Sequence, residues 1–343
     1  MAKKKPSKNP IPQEDIPQQQ QTPLEPDFPI QQMVQNVDFP IQQMKGGPSQ
    51  MAGGVKGSEK MRKAYQAASK LSKTLLEQEA PEDAKFLSEL SESDVIVLRG
   101  CYDFGETIFE LAEIPYTLID PDTIQDIELR DEQIIFVNCP GSEVTERGIE
   151  RIKSFVEQGG LLVTTDWSLK HVIERAFPKT IKYNGTATGD DVVRIVYEPI
   201  DDTFLKGLLD PNDDPQWWLE GSSYPIEILD ESVRVLVSSK EMKEKYGEAP
   251  IVVAFEIGKG KVYHMTSHFY LQRSETRNKR HIQKGSAYAA QKGLSMNAFT
   301  SEEAEALEET DVASVEAAYT SVRSMQNIII EQKMRVSDRN KKK

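Results

Sequence analysis

The apolar positions of this chain follow three regimes. Through residues 1–58 they are scattered among Pro, Gln and Gly with no helical or strand period. From Ser58 onward Met61, Ala64, Ala68, Leu71 and Leu75 recur at three and four residues, which marks one face of a helix. From residue 94 continuous apolar runs alternate with amphipathic ones. The runs "DVIVLRG" (94–100), "EQIIFVN" (132–138) and "LLVTTD" (161–166) predict strands buried on both faces, and "YTLID" (116–120) a fourth strand. Between them "GETIFELAE" (105–113), "VTERGIERIKSFVEQ" (144–158) and "SLKHVIERAF" (168–177) predict helices, the last with Ser168 as its N-cap. Strands alternating with helices of this length imply a parallel sheet with right-handed crossovers.

Beyond Phe177 the pattern loosens but stays rich in β formers: "DDVVRIVYE" (190–198), "VRVLVSS" (233–239) and "IVVAFEIGKGKVYHMTSH" (251–268), the last with a tight turn at Gly258 and Gly260. A basic loop, "RSETRNKRHIQK", precedes a long helix of about 301–335. Thr300 and Glu303 form a capping box at its start, and Val315, Ala318, Val322, Met325 and Ile329 give it an apolar stripe to pack on its own domain or on a second copy. The expected fold is therefore α/β: a flavodoxin-like three-layer domain with a mainly parallel sheet. Its expected parts are a disordered tail (1–58), a helical lead-in (59–90), the α/β domain (91–272), and a basic loop with the C-terminal helix (273–343).

A net charge of −13 opposes general binding to nucleic acid, because phosphate repels an acidic surface. Lysine clusters occur only at the two ends, "MAKKK" and "RNKKK". Two cysteines, Cys101 and Cys139, supply neither a disulfide framework nor a cysteine-based zinc cluster. No run approaches the length of a membrane span, and the expectation is a soluble cytoplasmic protein without membrane contact.

Three segments carry a resemblance to the class I glutamine amidotransferase-like superfamily. They are "VIVLRGCYDFGETIFELAEIPYTLID", "IIFVNCPGSEVTERGIERIKSFVEQGGLLVTTD" and "PIVVAFEIGKGKVYHMTSH", together spanning roughly residues 94–270. The resemblance implies a flavodoxin-like fold. It also implies a nucleophile elbow after the strand at 161–165, where catalytic members place a cysteine inside Gly-x-Cys-x-Gly. This chain reads Thr165-Asp166-Trp167-Ser168 there, and His268 stands near the family's catalytic histidine without the usual His-x-Glu pairing. A carboxylate cannot form the thioester of glutaminase chemistry. The elbow is read as not retained, and the domain as a pseudoenzyme.

In a flavodoxin-like order, strands 94–100 and 132–138 are neighbours, which sets Cys101 and Cys139 at the crevice where such sheets bind ligands. Asp103, Glu106, Asp166, Trp167 and His268 share that rim. Three chemistries suit the set: Cys101 as a nucleophile with His268 as base, a redox pair of thiols, or a metal held by Cys, His and Asp. Against them stands the plainer reading that both cysteines are small buried hydrophobes and that Asp166 caps the following helix. No cofactor and no metal is expected. His264 reads as a hydrogen-bonded strand residue, His171 and His281 as helix-surface and loop positions, and Trp217-Trp218 as a plug under a long loop.

The tail repeats "DFPIQQM" at 27–33 and 38–44. In each copy Phe28 or Phe39, Ile30 or Ile41, and Met33 or Met44 can anchor in a pocket, with proline stiffening the chain between them. The functional expectation is a non-catalytic binding or scaffold protein that recruits a protein partner, possibly oligomeric, through this repeat. The alternatives are a cysteine-dependent hydrolase or transferase with a displaced site at Cys101/His268, or a small-ligand sensor.

Overall fold

The computed structural model describes residues 56–268 and 273–342. Helices α1 (Lys56–Glu79) and α2 (Pro81–Ser88) lead into β1 (Val95–Leu98), α3 (Glu106–Leu111), β2 (Thr117–Ile119), β3 (Ile134–Val137), α4 (Glu146–Gln158), β4 (Leu161–Thr165) and α5 (Glu174–Ala176). There follow β5 (Ile181–Tyr183), β6 (Asp191–Arg194), β7 (Val196–Tyr197), β8 (Gln216–Leu219), β9 (Ile226–Ile228), β10 (Arg234–Ser238), α6 (Lys240–Tyr246), β11 (Pro250–Ile257) and β12 (Gly260–Met265). Helices α7 (Gly285–Gln291), α8 (Ser301–Glu309) and α9 (Val312–Lys341) complete the described chain.

Eight strands make one sheet in the order β2-β1-β3-β4-β12-β11-β10-β7. The first five are mutually parallel, and β11, β10 and β7 add antiparallel neighbours at the far edge. The α/β class and the mainly parallel flavodoxin-like sheet follow the sequence pattern. Strand alternation divides the core. Val95, Val97, Phe136 and Val163 face one helical layer, whereas Ile96, Leu98, Val137 and Leu162 face the other.

The second layer is built by α4, whose Ile149, Ile152, Phe155 and Val156 are buried. Thr145 caps its start by accepting from the Gly148 amide at 3.1 Å. A Cβ on Gly260 would lie 2.0 Å from the Val156 carbonyl oxygen, so β12 can pass this helix only as glycine.

The first layer comes from the two ends of the described chain. Tyr65, Ala68 and Leu71 of α1 join Val315, Val322 and Ile329 of α9 in one cluster with the sheet. The Tyr65 hydroxyl donates to Ser321 at 3.0 Å and Ser72 to Gln326 at 2.6 Å. The stripe on α9 thus packs on its own chain. The single long helix expected over 301–335 is two: the capping box at Thr300 opens α8, and Asp311 caps a separate α9 by accepting from Ser314. Residues 168–177 also depart from a plain α-helix, running as a π-type turn at Leu169–Ile173 before α5. The segment 190–198 breaks at Ile195, because β6 pairs with β8 in a small second sheet while β7 joins the main one. The repeat residues Phe28, Ile30, Met33, Phe39, Ile41 and Met44 lie outside the described residues.

Candidate functional site

Three adjacent parallel strands, β3, β4 and β12, end at one place, and each carries a candidate residue just past its last pair. Cys139 follows β3, Asp166 follows β4 and His268 follows β12. All three are buried, and one donor atom from each lies within 4.8 Å of the others. The carboxyl end of a parallel sheet is where this architecture places its ligand sites.

Asp166 sits at the strand-to-helix corner with φ +45°, a left-handed conformation that Asp tolerates better than most residues. The corner residue thus combines a left-handed backbone with a carboxylate side chain. The side chain does not cap the following helix as expected. Its Oδ1 accepts from the Tyr224 amide at 2.9 Å and its Oδ2 from Ser223 Oγ at 3.2 Å, both across from the loop between β8 and β9. Ser168 likewise makes no side-chain cap, since its hydroxyl donates to the Asn138 carbonyl at 3.4 Å. Burial pushes the Asp166 carboxyl up to about 7, against the opposing charge of His268.

His268 Nε2 lies 3.6 Å from Asp166 Oδ2, and its Nδ1 is 2.9 Å from Glu220 Oε1. The carboxylate on Nδ1 comes from 48 residues upstream in the sequence. Glu220 follows β8 in "QWWLEGSSY", and the sequence reading passed it over. A lone carboxylate before glycine at a strand end was its only local signal. Burial alone would lower His268, but Asp103, Cys139 and Glu220 outweigh it and hold the ring up to about 12. The ring faces carboxylates on both of its nitrogens.

Asp103 is also brought to the site. It is buried, and its Oδ2 accepts from Thr165 Oγ1 at 2.7 Å, whereas Oδ1 has no hydrogen-bond partner among the described residues. Burial raises its carboxyl while His268 lowers it. Glu106 sits one step away, accepting from Asn138 Nδ2 at 2.7 Å, and Asn138 Oδ1 in turn accepts from the Gly105 amide.

The plainer reading of both cysteines as small buried hydrophobes holds for Cys139 but not for Cys101. Their backbones touch, the Cys101 amide donating to the Cys139 carbonyl at 3.2 Å, but Cys101 is exposed and Cys139 buried. Burial and the Glu143 charge push the Cys101 thiol up, and the helix that follows it begins only at Glu106. The thiol that meets the histidine is Cys139, and burial pushes it up to about 12 even with that hydrogen bond.

Aromatic rings cover the corner. Trp167 donates Nε1–H to the Ser222 carbonyl at 2.7 Å, meets Tyr102 edge-on at 5.3 Å between centroids and stacks with Tyr224 at 5.7 Å. Tyr224 stacks in turn on Tyr183 at 4.0 Å. The other singled-out residues are structural. His264 bonds Thr164 Oγ1 at 2.7 Å, and burial lowers it to about 3. His281 lies in a loop but is fully buried, accepting from the Arg277 amide at 3.1 Å. Trp217 is buried and donates to the Thr266 carbonyl, whereas Trp218 is half-buried and donates to Asp190. Among the described residues no helix is long and apolar enough to cross a membrane.

No protein-family model and no curated protein sequence matches the chain. Among solved structures it is similar to an exo-β-1,4-mannosidase from Opitutaceae bacterium strain TAV5, with 13% identity, 50% of this chain and 31% of that one covered, and a TM-score of 0.35. A β-galactosidase from Bacillus circulans sp. alkalophilus matches at 16% identity over 54% of this chain and 31% of that one, with a TM-score of 0.36. A ThuA-like protein from Bacteroides uniformis ATCC 8492 matches at 11% identity over 52% and 84%, with a TM-score of 0.34. The matched region spans less than a third of either glycosidase. Likenesses this distant carry no argument about activity.

Proposed function

We propose that the chain is a non-catalytic member of the glutamine amidotransferase-like group that serves as a binding or scaffold protein. One observation supports this above the others: the residue at the nucleophile corner is a carboxylate whose oxygens are already engaged by Tyr224, Ser223 and His268. A group held on three sides, under the Tyr102–Trp167–Tyr224 rings, is in no position to attack a substrate. The displaced-site alternative loses support, because Cys101 is a raised, exposed thiol and the histidine contacts Cys139 instead.

In this reading partner recruitment falls to the repeated "DFPIQQM". Two copies eleven residues apart can engage adjacent subunits of an oligomeric partner, gaining roughly 10²–10⁴ in avidity. The test is co-purification with the full chain and with Phe28→Ala/Phe39→Ala. The double variant should lose the partner and each single variant should weaken it. Retention of every partner by the double variant would remove the docking role.

A further inference from the structure

We infer that Cys139 Sγ, Asp166 Oδ2 and His268 Nε2 form a site for a divalent zinc-class cation, which clasps the ends of β3, β4 and β12. This goes beyond a scaffold role, which neither needs nor excludes a metal.

The donor set is of the mixed thiolate, carboxylate and imidazole kind that zinc accepts. With metal–nitrogen and metal–oxygen distances of about 2.0–2.1 Å and metal–sulfur near 2.3 Å, tetrahedral coordination sets ligand atoms about 3.3–3.6 Å apart. Asp166 Oδ2 and His268 Nε2 are 3.6 Å apart, long for a hydrogen bond and right for the edge of such a tetrahedron. The whole set lies within 4.8 Å, so closure asks for movement of roughly 1 Å at its widest edge.

The surroundings point the same way. Glu220 accepts from Nδ1 at 2.9 Å, the carboxylate–histidine arrangement that fixes a ligating ring and turns its other nitrogen toward a metal. The buried Asp103, with Oδ1 unpartnered among the described residues, adds a second carboxylate whose charge acts on the ring. A divalent ion balances the Cys139 thiolate and the Asp166 carboxylate, and it replaces the charge of the ring proton beside Glu220, where burial penalises uncompensated charge. Binding releases to solvent the Cys139 thiol proton, the ring Nε2 proton and the proton of whatever fraction of Asp166 is protonated, and no electron transfer is involved.

The probe is Co²⁺, followed by Zn²⁺ as competitor, added to the chelator-treated full chain. One equivalent of Co²⁺ should bind with a thiolate-to-metal charge-transfer band and the strong visible absorption of tetrahedral cobalt, and Zn²⁺ should displace it. Cys139→Ser, a one-atom change, should abolish the charge-transfer band, while Cys101→Ser should leave it intact. Glu220→Gln keeps every ligand and should weaken binding about 10–100-fold. Circular dichroism of each metal-free variant separates loss of ligand from loss of fold. Absence of saturable cobalt uptake by the parent chain would overturn the proposal. So would a charge-transfer band that survives Cys139→Ser or vanishes with Cys101→Ser.

Discussion

Replacing Lys261 by Met tests whether the C-terminal helix is integral to this domain. Lys261 is the second residue of β12, and its side chain is 3% exposed. Its Nζ lies 2.9 Å from Asp202 Oδ2, in the loop after β7, and 2.9 Å from Glu331 Oε1 on α9. The Asp202 side chain is fully buried and also accepts from Tyr263 Oη at 2.9 Å, the Phe204 amide at 3.0 Å and Arg234 Nη2 at 2.6 Å. Methionine fills the space but leaves Asp202 without its buried counter-charge. Breaking a buried pair on one side costs about 3–5 kcal/mol. Arg234 remains on the same oxygen, which sets the expectation near 3 kcal/mol and a fall in Tm of roughly 5–10 °C for a domain of this size.

The pH dependence fixes the cause. Burial would raise the Asp202 carboxyl, but the Lys261 charge and hydrogen bond outweigh it and hold the group below its ordinary 3.8. A depressed carboxylate contributes stability that is complete above the unfolded-state value and is lost as pH falls through the folded one. The gap between parent and variant should therefore be full at pH 7 and close below about pH 4. Urea unfolding at pH 7 and in an acid series measures it. Adding Asp202→Leu to Lys261→Met should recover part of the loss, because the fully buried carboxylate is then gone and the charges left, Arg234 and Glu331, reach solvent. A single variant within about 0.5 kcal/mol of the parent at pH 7 would refute the reasoning, since that is the level of an ordinary surface change.

Two further outcomes are expected. The parent chain should release no ammonia from glutamine, and turnover that disappears in Cys101→Ala would revive the displaced-site reading. Ile329→Ala, at a fully buried position where α9 meets the sheet-covering cluster, should cost about 2–5 kcal/mol, measured by the same unfolding assay. A cost below about 1 kcal/mol there would mean that α9 is not part of the core.

What the sequence displayed and what it hid divide along physical lines. Strands β1, β3 and β4 were legible because a strand buried on both faces must be apolar throughout, and α4 because one face alone is buried. The short elements β5, β8, β9 and α7 were not. Three to seven residues are too few to show a period, and "QWWL" reads equally well as a loop plug. Asp166, His268 and Asp103 could be placed at the site because each follows a recognisable strand. Glu220, Ser223 and Tyr224 come from an irregular loop whose position depends on tertiary pairing of β6 with β8. The difference between the two cysteines was hidden for a related reason. Sheet order predicts backbone neighbours, and Cys101 and Cys139 are neighbours there, but it does not say which thiol turns inward.

Backbone conformation limits which residues the corner at Asp166 accepts without strain. The chain leaving β4 turns into a helical segment, and Asp166 takes φ +45° at the turn. Asp and Asn adopt this conformation with little strain, and Ala does not. Asp166→Asn keeps an oxygen to accept from the Tyr224 amide and removes a carboxylate that burial disfavours, so it should lie within about 1 kcal/mol of the parent in chelator-treated protein. Asp166→Ala adds the left-handed strain of about 1–2 kcal/mol to a Tyr224 amide and a Ser223 hydroxyl left without their acceptor, about 1–3 kcal/mol more. The alanine variant should be the less stable by about 2–5 kcal/mol in urea unfolding at pH 7. Equal stability of the two would mean that the loop between β8 and β9 is not held by this residue, and the engaged-carboxylate argument against catalysis would fall with it.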